Sequence, residues 1–83
     1  MKTIHKFPLA TTDLQVIYAP TTFKPLCVQV QNDRITLWAE VDTDQPNTEW
    51  DIAIVGTGHN MYATYTNYIG TVQLDGLVWH IYY

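Results

Sequence analysis

The residues best placed for chemistry are Gly56-Thr57-Gly58-His59-Asn60, which follow an apolar run. Two glycines one residue apart let backbone N–H groups converge on an anion, with His59 or Asn60 adding a donor. The plain alternative is a glycine turn that lets the chain leave a strand. The segment is not a Walker loop, because no Lys follows at the right place. It is not a dinucleotide fingerprint either, since no third Gly and no helix follow. Just beyond it, Tyr62, Tyr65 and Tyr68 interleave with Thr and Asn. That composition suits an adaptable binding surface, or equally a loop that packs its own tyrosines back on a sheet.

The remaining reactive side chains form no set. His5, His59 and His80 stand at no recognised metal spacing and have no attendant cluster of Cys or acids, so no metal is expected. Cys27 would need a base and an oxyanion hole to act as a nucleophile. It reads instead as a quiet, half-buried thiol next to Trp38. Asp42, Asp44, Glu49 and Asp51 gather around one loop but match neither a calcium loop nor a catalytic carboxylate pair. They read as a solvated acidic loop. With no nucleophile–base pair and no ligand set, the expectation is a non-enzymatic protein with no cofactor.

The elements that carry these residues are strands. Residues 2–7, 14–19 and 26–31 read as strands whose successive side chains take opposite faces, as do 34–42, the stretch around 50–55, 68–74 and 77–83. Two hairpins can be tested for register. Around Asn32-Asp33, residues that tolerate positive φ, Val30 falls opposite Ile35, Val28 opposite Leu37 and Leu26 opposite Ala39. The other face pairs Gln31 with Arg34, Gln29 with Thr36 and Cys27 with Trp38. One face is then wholly apolar, and a slip of one residue would destroy that sorting. Around Asp75-Gly76, a strong turn dipeptide, Leu74 meets Leu77, Val72 meets Trp79, Gly70 meets Ile81 and Tyr68 meets Tyr83. The other face of that hairpin pairs Gln73 with Val78, Thr71 with His80 and Ile69 with Tyr82. Gly70 opposite Ile81 marks a bulge, or room made for a large neighbour. Residues 43–48 read as a polar loop. A single helical turn has room only at 10–14 or 60–66. The expected fold is one all-β domain over residues 1–83, a small antiparallel sandwich or partly open barrel of seven short strands.

Totals narrow the function classes. Eighty-three residues make one domain, close to the size at which a single core is only just sufficient. Aromatics reach 13%, six of them Tyr, so self-association into a homo-oligomer would help complete the core. Net charge is −4, with Lys2, Lys6, Lys24 and Arg34 the only cations. Four cations neutralise few phosphates, which argues against polymeric nucleic acid as a partner. One cysteine allows no internal disulfide, which points to a reducing, cytoplasmic setting. No apolar stretch reads as a signal peptide or a membrane span. Trp38 stands on the polar face of its hairpin and, if that face is open, is an interface anchor.

The opening Met1-Lys2-Thr3-Ile4-His5-Lys6-Phe7-Pro8-Leu9, the block Val28-Gln29-Val30-Gln31-Asn32 with Leu37-Trp38-Ala39, the Gly56-Thr57-Gly58-His59 turn, the Tyr68-Ile69-Gly70-Thr71 step and the aromatic last strand carry a resemblance. They resemble a family of small uncharacterised proteins of tailed bacteriophages and prophages, over nearly the whole chain. The resemblance implies a phage product acting in the bacterial host cytoplasm. It brings no site residues with it. The functional expectation is a non-catalytic accessory protein that binds a host component, including an immune-evasion role against host defence. Its contacts would come from Gly56, Thr57, Gly58, His59, Asn60, Tyr62, Tyr65 and Trp38. The alternatives are an oligomeric sponge for a small nucleotide signal and a minor virion or assembly component.

Overall fold

The computed structural model describes residues 1–61 and 67–83. The described chain forms seven strands: β1 (Lys2–Pro8), β2 (Leu14–Pro20), β3 (Lys24–Gln31), β4 (Arg34–Asp42), β5 (Asn47–Gly56), β6 (Tyr68–Leu74) and β7 (Leu77–Tyr82). A three-stranded sheet in the order β1-β4-β3 packs on a four-stranded sheet in the order β2-β5-β7-β6, and every pairing is antiparallel. The all-β class and the seven strands are as expected, and of the two expected architectures the sheets form the sandwich. Among the described residues there is no helix, and no helix long and apolar enough to cross a membrane.

Both tight bends form where turn chemistry placed them. Asn32 and Asp33 have φ of 53° and 59°, and Asp75 and Gly76 have 54° and 77°. Positive φ at both central residues is the type I′ pattern, whose twist matches that of paired strands. The registers next to the turns hold, including Val28 with Leu37, Cys27 with Trp38, Val72 with Trp79 and Thr71 with His80.

Both registers then shift further from the turn. A bulge at Leu26 puts Pro25, not Leu26, opposite Ala39, and Leu26 is left 46% exposed. Proline supplies no ladder hydrogen, so the strand bends where the donor is missing. A second bulge at Ile69 puts Tyr68, not Ile69, opposite Tyr82, while Gly70 keeps Ile81. Strand β5 begins at Asn47, inside the stretch expected to be loop, because β2 reaches that far and pairs Pro20 with Asn47. Residues 10–13 bend without a helical turn.

The core lies between the sheets. On β4, Ile35, Leu37, Ala39 and Val41 alternate inward and are at most 1% exposed. Facing them are Ile52 and Ile54 of β5, Ile81 of β7 and Val72 of β6. Phe23 closes one end, with its ring centroid 5.6 Å from Phe7, 5.0 Å from Trp50 and 6.2 Å from Tyr83. Strand β3 runs close beside β6 along one side of the sandwich. A Cβ on Gly70 would lie 2.6 Å from Val28 Cγ1, so the missing side chain admits that neighbour. The other side leaves β1 and β2 as edges.

Candidate functional site

Strand alternation sorts the outward side chains of the two sheets into different chemistries. On the three-stranded sheet, Lys2 and Lys6 of β1 and Lys24 of β3 face outward beside Asp42, Trp38 and Glu40 of β4, and Arg34 shares that face opposite Gln31. All four cations of the chain therefore sit on this one face. Across the four-stranded sheet, one outward row reads Leu14, Ala53, Tyr82, Tyr68 and the next Val55, His80, Thr71. Val16 and Tyr18 extend it along β2 beside Asp51 and Glu49. Leu14, Val16, Tyr18 and Tyr68 are each at least 49% exposed. Tyr68 and Tyr82 meet edge to face at 5.5 Å. A solvated sheet face normally alternates toward polar residues. This one carries an aromatic and aliphatic strip from Leu14 to Tyr68, with His80 and Thr71 beside it and two acids at one margin.

The glycine turn borders that face. The His59 amide donates to the Gly56 carbonyl at 2.9 Å, and Gly58 has φ +85° at the third position, the pattern of a type II turn. The Thr57 amide donates to the Val78 carbonyl at 3.1 Å. Two of the amides expected to converge on an anion are thus spent inside the fold. Gly56 serves packing: a Cβ there would lie 2.6 Å from His59 Nδ1, because the imidazole folds back over it. That ring meets Trp79 edge to face at 6.1 Å. Beside the turn lies an open recess of about 260 Å³, lined by Gly56, His59 and Trp79 among others. On the turn's other flank a recess of about 230 Å³ holds Thr57, Met61, His80 and Tyr82. Neither is lined by Lys or Arg.

Across β5, β7 and β6 runs a chain of hydrogen bonds. Thr57 Oγ1 lies 2.8 Å from His80 Nε2, His80 Nδ1 lies 3.0 Å from Thr71 Oγ1, and Thr71 Oγ1 lies 2.6 Å from the Tyr68 hydroxyl. Thr57 Oγ1 also reaches the Val78 carbonyl at 3.5 Å. Every hydroxyl hydrogen finds an acceptor when Tyr68 donates to Thr71, Thr71 to Nδ1, Nε2–H to Thr57 and Thr57 to that carbonyl. The Thr57–His80 distance is within the range of a nucleophile and its base. The far ring nitrogen, however, meets a hydroxyl where a hydrolase places a carboxylate. What the arrangement does is tie three strands together on the outward face. Half of it was legible in the hairpin register, which sets Thr71 against His80. The Thr57 link needs the β5–β7 pairing, which no turn signals.

The structure does not gather the expected contact residues into one place. Gly56, Thr57, Gly58, His59 and Asn60 lie at the rim of the four-stranded sheet. Trp38 lies on the outward face of the other sheet, half-buried between Lys6 and Cys27. Tyr62 and Tyr65 fall outside the described residues. The residues sequence reading passed over are Leu14, Val16, Tyr18, Val55 and Tyr82. Their signal was apolar character on both faces of β2 and β5.

The acidic loop is organised by the chain start. The Met1 ammonium lies 3.1 Å from Asp42 Oδ1 and 2.7 Å from Asp44 Oδ2. The Asp44 amide donates to Asp42 Oδ1 at 3.0 Å. That amide first, and the ammonium second, hold the Asp42 carboxyl below its ordinary value. The Asp44 and Asp42 carboxylates raise the ammonium in turn. Tyr18 donates to Glu49 Oε1 at 3.1 Å, and this bond raises its phenol. Among the described residues no three His, Cys, Asp or Glu side chains group to hold a metal ion.

The chain belongs to the family described as Domain of unknown function (DUF7352), whose model matches residues 1–83. No curated protein and no solved structure matches it.

Proposed function

We propose that the protein is a non-catalytic recognition module that captures a partner protein on the outward face of its four-stranded sheet. One observation carries this reading. The chain confines all four of its cations to one outward face and covers the other with Leu14, Val16, Tyr18, Val55, Tyr68 and Tyr82. A charge-poor core of aromatic and aliphatic side chains with polar groups at its margin is the anatomy of a protein-binding patch. Tyr68, pinned through Thr71 to His80, and Tyr82, held edge to face against it, offer rigid area at small entropic cost. The partner that the phage resemblance implies is a component of the bacterial host cytoplasm, with suppression of host defence as the biological setting. A nucleotide sponge finds less support. Phosphates would need cations or free amides at the glycine turn, and the two recesses there are lined by neither Lys nor Arg.

The test compares the two faces. Tagged wild-type chain, Tyr68→Lys, Tyr82→Lys and Trp38→Lys are each incubated with host lysate, and retained proteins are identified. A specific partner should be kept by wild type and Trp38→Lys and lost by both tyrosine variants. A partner lost only with Trp38→Lys would move the interface to the other sheet and overturn the reading.

A further inference from the structure

The edges of the two sheets are not equally protected. An open strand edge invites pairing with another chain, and natural edges are blunted by Lys, Pro, bulges or cover. Strand β1 carries Lys2, Lys6 and Pro8. Strands β3 and β6 run beside each other at the Val28–Gly70 contact, and each is bulged. Strand β2, Leu-Gln-Val-Ile-Tyr-Ala-Pro, has no charged residue and no bulge, and its proline comes only at the last position.

The register shows which backbone groups that edge offers. The Ile54 amide donates to the Asp13 carbonyl and the Thr21 amide to the Pro46 carbonyl, just outside the two ends of the β2–β5 ladder. Both bonds follow the same register as the strands between them. In an antiparallel pair the bonded residues alternate. So Gln15, Ile17 and Ala19 bond toward β5, and the amides and carbonyls of Leu14, Val16 and Tyr18 point away from it. The Pro20 carbonyl is taken by the Phe23 amide and by Trp50 Nε1. The Thr12 hydroxyl caps the Leu14 carbonyl from the other end. Among the described residues, no other backbone group bonds the outward groups of Leu14, Val16 or Tyr18. The open stretch is symmetric about Val16.

We propose that the chain pairs with a second copy of itself along β2, antiparallel, with Val16 on the two-fold axis. In this register Val16 exchanges both bonds with its symmetry mate. Leu14 exchanges both with the mate of Tyr18, its carbonyl accepting on a second lone pair beside the Thr12 hydroxyl, so every open amide of the stretch finds a carbonyl. Other registers do worse. A shift of one residue sets outward side chains against inward ones. Placing Ile17 on the axis puts Leu14 opposite Pro20, which has no hydrogen to give. Placing Gln15 there sends Tyr18 beyond the strand, to Thr12. Charge does not oppose the pairing. No charged side chain lies on β2, and Asp51 and its mate would stand three strand spacings apart, roughly 14 Å. That exceeds the ~8 Å screening length at physiological salt. The two four-stranded sheets become one eight-stranded sheet with a continuous outward surface, isologous as a two-fold interface must be. This goes beyond the capture of a partner and does not depend on it.

The experiment uses the purified full chain alone. Sedimentation over a concentration series should reach twice the mass of one chain. Val16→Lys, which sets two ammonium groups against each other on the axis at a position already 49% exposed, should lose the dimer, while Ile4→Lys on β1 should keep it. Amide exchange supplies a second readout: the Val16 and Tyr18 amides should be protected in the wild-type dimer, and the Tyr18 amide should exchange freely in Val16→Lys. A chain that stays at single mass to the limit of solubility overturns the proposal. So does a dimer that survives Val16→Lys, or one in which the Val16 and Tyr18 amides exchange as fast as solvent-open ones.

Discussion

Two glycines show how differently the same residue type can be used. Gly70 lies where β6 passes β3, and an added Cβ would meet Val28 Cγ1 at 2.6 Å. Val28 is branched at Cβ, only 7% exposed, and has nowhere to swing. Gly56 would meet the His59 ring at a similar distance, but His59 is exposed and its ring can rotate outward. Gly70→Ala should therefore cost about 1–3 kcal/mol as an overpacking change. Gly56→Ala should stay within about 0.5 kcal/mol, as for most changes at a yielding surface. Denaturant titration of both variants checks this. Adding Val28→Ala to Gly70→Ala should show favourable coupling in a double-mutant cycle, since the two side chains would contest one space. Equal costs at the two glycines would mean that the β3–β6 seam yields as readily as a surface turn.

At the level of strands, local pairings were legible and distant ones were not. The Asn32-Asp33 and Asp75-Gly76 bends announce themselves because few residues accept positive φ, and the apolar faces next to them fix a register. The bulges at Leu26 and Ile69 were less visible. Their causes are Pro25, with no donor, and Gly70, with no side chain, and neither says which residue is pushed out. The pairings β1–β4 and β2–β5 have no connecting turn to report them. The consequence for the site is direct: Thr57 and His80 meet only once β5 lies beside β7, and the apolar outward face exists only once β2 joins β5. The far end of the β1–β4 ladder is held by charge, through Asp42, the Asp44 amide and the Met1 ammonium. The Asp42 carboxyl titrates below the ordinary 3.8 in the folded chain. A depressed folded value stabilises above the unfolded value and is lost as pH falls through the folded one. The stability difference between wild type and Asp42→Asn should therefore be full above about pH 4 and vanish as pH drops below the depressed value. Urea unfolding of both chains over an acid pH series measures it, and a difference that persists into strong acid would remove the carboxylate from this account.

For the whole molecule the question is whether one copy completes its own core. The chain exposes 5160 Å², and a folded monomer of its 9.6 kDa is expected to expose about 5,100 Å². Among the described residues, part of the aromatic surplus is accommodated within the copy. Phe7, Phe23, Trp50 and Tyr83 make one cluster at an end of the sandwich, and Trp79 donates to the Leu74 carbonyl at 3.4 Å. Pairing along β2 would cover the β2 edge and join the two outward faces, and would leave this interior untouched. Two kinds of dimer are thereby distinguished. In an obligate dimer folding and association are one event, and the melting temperature climbs with protein concentration. Here the Val16→Lys chain, unable to associate, should still unfold in a single cooperative transition whose midpoint does not change with concentration, while its strand-type circular dichroism matches the wild type. Calorimetry over a wide concentration range reads this directly. A Val16→Lys chain that has lost its cooperative transition would show that the second copy completes the core, and the sandwich would then be half of a larger folding unit.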